Sequence, residues 1–178
     1  MSEQDFKQVE LYSHSVQYAR EHGELDAYRA SYRANIACKE AITDAIRENY
    51  HNNHLDIAAA SPQVGEKFSE DRISYVLAVT VQHKDWDGRI SPENKAWAKT
   101  VPVCEDLDAW QQDRSVHFVV DQAHPGLVDL FVTQFRKSME QDHDSPEKRP
   151  SVLAKLKENT AISQEITAPS KSVKEAAR

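Results

Sequence analysis

The sequence predicts a mainly α fold: a compact helical domain with one long helix near the N-terminus, room for one small β-hairpin, and a flexible C-terminal tail. Three observations carry that prediction. Four glycines and seven prolines in 178 residues are too few for a sandwich or barrel, whose hairpins tend to need residues with positive φ. Between Glu24 and Asn52, Leu25, Tyr28, Tyr32, Ile36, Ile42, Ile46 and Tyr50 recur mostly at steps of three and four, without Gly or Pro, the signature of a one-sided helix. From about Gln141 onward the chain offers no core-forming stripe apart from Val152, Leu153 and Leu156. The expected division is a helical domain over residues 1–140, then a linker and tail over 141–178 with one short amphipathic docking motif.

The elements follow in order. Val9, Leu11, Tyr12, Val16 and Ala19 space residues 8–22 as a first helix, ended by Gly23, the residue type favoured just past a helix terminus. The long helix comes next and sets Arg29 and Arg33 one turn apart, beside its buried face. Ser61-Pro62 reads as an N-cap and first helical position of a short helix. Residues 73–81 fit two templates, because Ile73, Tyr75, Leu77, Val79 and Val81 alternate as in a strand. Helix is preferred, since Ser69-Glu70-Asp71 forms an acidic start and few strands are nearby to pair with. Asp87-Gly88 makes a turn in which glycine supplies the unusual φ, and Ser91-Pro92-Glu93 opens a helix reaching Lys99. Val101–Val103 and Val116–Val120 are the best hairpin strands. Pro125 begins a last helix with Leu127, Leu130, Phe131, Phe135 and Met139 on one face.

Composition excludes several classes. No apolar run approaches the roughly 18 residues of a membrane span, and the acidic start, Glu3 and Asp5, is unlike a signal peptide. A soluble cytoplasmic protein that stays where it is made, without membrane contact, is expected. Cys38 and Cys104 are 66 positions apart, which argues against a zinc site or a disulfide framework. Net charge is −7; residues 136–178 hold nine Lys/Arg and seven Asp/Glu, leaving 13 − 22 = −9 on residues 1–135. Such a body is a poor general nucleic-acid binder, yet it suits docking on a basic partner.

Candidate chemistry is sparse. No P-loop, nucleophile elbow or dinucleotide glycine fingerprint occurs, and neither a metal nor a cofactor is expected. His51 and His54 read as the solvated end of the long helix, where imidazolium suits the dipole. The densest polar run is His83-Lys84-Asp85-Trp86-Asp87-Gly88-Arg89. His83, Asp85 and Asp87 are the weak catalytic candidates, able in principle to act as acid and base on a phosphodiester. Turn formation by the two aspartates is the simpler role. Trp86, Trp97 and Trp110 offer stacking surfaces, though tryptophan in a helical domain is more often core.

Three blocks resemble a known family. Tyr18–Ser31 with Asn35–Ile42, the central Tyr75–Ala78 and Gln82–Lys99, and His124–Phe131 together resemble a domain of unknown function from Firmicute plasmids, conjugative elements and phages. That group includes type II-A anti-CRISPR proteins. The resemblance spans residues 12–140, and its central block is long and unusual. It implies an inhibitor that binds a type II CRISPR effector nuclease or its guide-RNA complex. The resemblance carries no site residues; by their chemistry Arg29, Arg33, Lys84, Trp86, Arg89 and Lys95 are the expected contact residues. A guide-RNA-truncating ribonuclease, with the hairpin implicated, and a non-enzymatic accessory protein of a conjugative element are the alternatives.

Overall fold

The computed structural model describes residues 6–102, 117–120 and 124–144. A 3-10 turn (Phe6–Gln8) is followed by α1 (Val16–Glu21), α2 (Leu25–Glu48), strands β1 (Tyr50–His51) and β2 (His54–Leu55), α3 (Ile57–Gly65), α4 (Glu70–His83), α5 (Pro92–Ala98) and α6 (Pro125–Asp144). The chain divides into two units, residues 1–137 and 138–178. The described part of the second is the C-terminal end of α6.

Local chemistry sets most boundaries. Ser15 caps α1 by accepting from the Tyr18 N–H at 3.1 Å, so residues 9–15 stay outside any helix and the expected first helix is much shorter. At its end the Glu24 N–H donates to the Ala19 carbonyl at 2.8 Å, and Gly23 sits at φ 72. That is a Schellman closure, and glycine meets its left-handed position without a Cβ penalty. α2 stops at Glu48, four residues earlier than expected. Asn49 ends it by donating its side-chain amide to the Ala45 carbonyl at 2.7 Å. Asn52 and Asn53 then adopt φ 52 and 59, the two left-handed positions of a type I′ turn. Tyr50 pairs with Leu55 and His51 with His54, antiparallel. The small hairpin therefore lies here. Val101, Pro102 and His117–Val120 are not strands, and the remainder of the proposed pair lies outside the described residues.

α3 starts earlier than Ser61-Pro62 suggests. Asp56 is its cap, accepting from the Ala59 N–H at 3.2 Å, and Pro62 is carried inside the helix. α4 settles the ambiguous run as helix: all ten residues from Arg72 to Val81 are buried. A helix wrapped on every side is apolar all round, which blurs its period and makes alternation look like a strand. Ser91 caps α5, with Pro92 in its first turn. α6 begins at Pro125 as expected and continues past Gln141 to Asp144. Its buried residues are Pro125, Val128, Phe131, Val132 and Phe135, while Leu130 is 49% exposed. The expected tail beyond residue 144, with its docking motif, lies outside the described residues.

The core forms where α2 packs on α1, α3 and α4, and where α4 packs on α5. Its largest apolar members include Ile42, Ile46, Ile73, Leu77, Ile90 and Phe131, each contributing about 1.5–3 kcal/mol through burial. The buried stripe of α2 runs through Ser31, Ala34, Asn35, Cys38, Ile42, Ala45 and Ile46. It lies to one side of the expected Tyr28–Tyr32–Ile36 line because α4 presents a cation. Arg72 is fully buried and donates to the Ser31 carbonyl (3.0 Å), Ser31 Oγ (3.4 Å), Asn35 Oδ1, and the Val9 and Glu10 carbonyls (2.9 and 3.0 Å). The guanidinium thereby stitches the N-terminal segment, α2 and α4 together. Burial pushes its pKa down from the ordinary value.

Candidate functional site

The turn between α4 and α5 holds most of the candidate residues. α4 ends at Lys84, whose N–H donates to the Thr80 and Val81 carbonyls. A tight turn follows, with the Asp87 N–H donating to the Lys84 carbonyl at 2.9 Å and the Ile90 N–H to the Asp87 carbonyl at 3.2 Å. Ile90, 2% exposed, plugs the turn into the core.

Asp87 organises this turn. Its Oδ1 accepts from the Arg89 N–H at 2.9 Å and from Arg89 Nε at 3.0 Å; its Oδ2 accepts from a terminal guanidinium nitrogen at 2.8 Å. This is an Asx turn closed by a bidentate ion pair. Asp87 is buried although Arg89 is half exposed. The hydrogen bonds from Arg89 hold the Asp87 carboxyl down at about 2. Gly88 does not supply an unusual φ; among the described glycines Gly23 alone has a positive value. The aspartate side chain, not glycine, makes the turn.

On the outside of this turn stands Trp86, 81% exposed. It departs from the expectation that tryptophan in a helical domain is core. Lys95 Nζ donates to the Asp85 carbonyl at 2.6 Å, clamping α5 to the turn, and Gln82 Nε2 donates to the Ala98 carbonyl at 2.8 Å. Val81, Gln82, Asp85, Lys95 and Lys99 line a shallow pocket of about 310 Å³. His83 and Asp85 are exposed, and Lys84 is half-buried. The structure thus brings Lys84, Trp86, Arg89 and Lys95 onto one turn and the helix behind it. Among the described residues no group of three or more His, Cys, Asp or Glu is placed to hold a metal ion.

Arg29 and Arg33 form a separate patch on α2. With Tyr28 and Tyr32 they line a pocket of about 290 Å³, and Arg29 makes an exposed ion pair with Asp26 at 3.7 Å. The Tyr32 hydroxyl is hydrogen-bonded to His117 Nδ1 at 2.6 Å. His51 and His54 face each other across the hairpin rather than ending a helix. Trp110 lies outside the described residues.

Two polar networks escaped sequence reasoning. One is Arg72, readable in principle because it shares a helical face with Val76, Val79 and Thr80. The other joins α5 to α6. Fully buried Asn94 donates to Asp129 Oδ1 (2.7 Å), the Asp129 carbonyl (3.1 Å) and Thr133 Oγ1 (3.0 Å). Its own Oδ1 accepts from Arg136 at 2.8 Å, and that guanidinium lies 5.9 Å from the Trp97 ring centroid. This network fixes the helix that backs the Trp86 turn.

No curated protein and no solved structure matches the chain. One family model does, over residues 11–140, which takes in α1 to α5, the whole Trp86 turn and α6 as far as residue 140. The chain belongs to that family, the proteins of unknown function grouped as DUF3849.

Proposed function

We propose that this chain is a non-enzymatic binding protein that inhibits a type II-A RNA-guided effector nuclease by docking on the effector or its guide-RNA complex. One observation carries the binding reading: Trp86 is 81% exposed on a turn held by the Asp87–Arg89 pair and by Lys95 on the Asp85 carbonyl. A large apolar ring held in water by a rigid support is the kind of side chain that dominates interfaces once buried by a partner. Lys84, Arg89 and Lys95 around it suit a partner surface carrying phosphates or carboxylates. The choice of partner rests on the resemblance of the Gln82–Lys99 block to anti-CRISPR proteins. It is also supported by the −9 charge on residues 1–135, which complements the cationic channels of such effectors.

No observation favours the ribonuclease reading. Asp87 is occupied by Arg89, and Asp85 offers its carbonyl to Lys95 Nζ.

The test is retention of the protein on immobilised effector, guide-loaded and guide-free, followed by a gel of the guide RNA and a DNA-cleavage assay. The expected result is retention, full-length guide and suppressed cleavage. Absence of retention on either form, with cleavage unaffected, overturns the assignment of partner; a shortened guide overturns the non-enzymatic assignment.

A further inference from the structure

A groove along the C-terminal half of α2 is lined by Phe6, by Ala37, Glu40, Ala41, Asp44, Ala45 and Glu48 of α2, and by Gln63, Glu66, Lys67 and Phe68, enclosing about 760 Å³. Its floor and rim have different chemistry. Ala37, Ala41 and Ala45 succeed one another at four-residue steps, so the floor is a row of methyl groups that lets another backbone approach closely. Phe68 is buried beneath one end, and the Phe6 ring stacks on it with centroids 5.7 Å apart. Above the floor Glu40, Asp44 and Glu48 form a second row at the same spacing, with Glu66 in the lining as well. Against these four carboxylates the lining carries one cation, Lys67.

We infer that this groove is a docking site for a basic amphipathic helix of a partner protein. Charge complementarity selects the occupant. Like charges at four-residue spacing repel along the free helix, and among the described residues Arg47 pairs with Asp44 alone, exposed, at 3.1 Å. A cationic helix flanking an apolar stripe relieves that repulsion and covers Phe6 and the alanine floor together, the helix-in-groove mode of recognition. The floor from Ala37 to Glu48 spans about 16 Å at roughly 1.5 Å per residue, so three turns of partner helix fill it. The inference uses none of the Trp86 surface and stands or falls apart from the inhibitor reading.

The test is fluorescence anisotropy of the full chain with a labelled Leu/Ala/Lys peptide of about 14 residues, about 21 Å when helical. Its leucines lie along one face with lysines beside them, and a Glu-for-Lys peptide of the same pattern is the control. The cationic peptide is expected to bind and the acidic one not. Ala41→Trp fills the floor without altering charge, and Glu40→Lys with Glu48→Lys reverses the rim; each should weaken binding about tenfold or more. Asp26→Lys with Glu93→Lys, on exposed positions outside the groove, should leave it within about twofold. Circular dichroism establishes that each variant is folded. Amide shift mapping on the wild-type chain gives a readout independent of the variants and should centre on residues 37–48 and 63–68. Equal binding by the groove variants, shifts centred elsewhere, or no binding of the cationic peptide overturns the inference. So does self-association that Ala41→Trp abolishes in the absence of peptide binding, because the occupant is then a second copy.

Discussion

Asp87 accepts three hydrogen bonds from Arg89, one from its backbone and two from its guanidinium, and this single pair converts a helix end into a rigid platform for Trp86. The carboxyl is held at about 2, below its ordinary 3.8. Because the folded-state value is depressed, the stabilisation is present above about pH 4 and is lost as pH falls toward about 2. Asp87→Asn should therefore be less stable than the parent at neutral pH, with the gap closing across that acid window. Denaturant melts of both proteins between pH 7 and pH 2 check this, and a gap independent of pH would contradict it.

Arg72 should be among the costliest residues to truncate. Arg72→Ala leaves the Val9, Glu10 and Ser31 carbonyls and the Asn35 amide oxygen without their buried donor, a loss of about 3–5 kcal/mol by analogy with broken buried charge contacts. Urea unfolding measures it. Arg72→Lys should recover only part of the loss, since one ammonium cannot span both the α2 and N-terminal acceptors. Full rescue by lysine would contradict the bidentate account.

Asn52 and Asn53 predict a conformational asymmetry. Both have positive φ, so Asn53→Ala should cost about 1 kcal/mol while Asn53→Gly is neutral or mildly stabilising. Thermal melts of the two variants separate this from any loss of the weak Tyr50 hydroxyl bond to Asn53 Oδ1 at 3.4 Å, which both substitutions remove alike.

Cys38 predicts a thiol that reports unfolding. It is fully buried on α2, and burial pushes it up to about 12 even though nearby Arg72 pulls the other way. In a Cys104→Ser background, alkylation at pH 8 should be slow in native buffer and fast in denaturant. Rapid native labelling would show that the α2–α4 seam opens locally.

Legibility in the sequence followed the strength of local chemistry. Gly23, Ser91-Pro92 and Pro125 announce helix ends through backbone constraints and each was readable, whereas the same Ser-Pro signal at Ser61-Pro62 misled because Asp56 caps α3 upstream of it. The Asn52-Asn53 turn was hidden because asparagine pairs signal a type I′ turn more weakly than Asn-Gly, and the apolar stripe of α2 ran on into Tyr50. Buried polar side chains were the hardest to read. Arg72 and Asn94 look like surface residues by type; only their partners, Ser31 and Asn35 for one and Asp129 for the other, make burial affordable, and those partners lie 35 or more residues away. Trp86 erred the opposite way. Residue type argues for core, but buried Asp87 and Ile90 take the turn's interior positions.

Trp86 is displayed rather than packed, and one comparison tests this most directly: the affinity of Trp86→Ala for immobilised guide-loaded effector against that of the parent, with melting curves of both. The exposed ring predicts a stability change within about 0.5 kcal/mol. The loss of an interface anchor predicts binding weaker by about 10- to 100-fold. A folded Trp86→Ala protein that binds as tightly as the parent would contradict the role assigned to this turn.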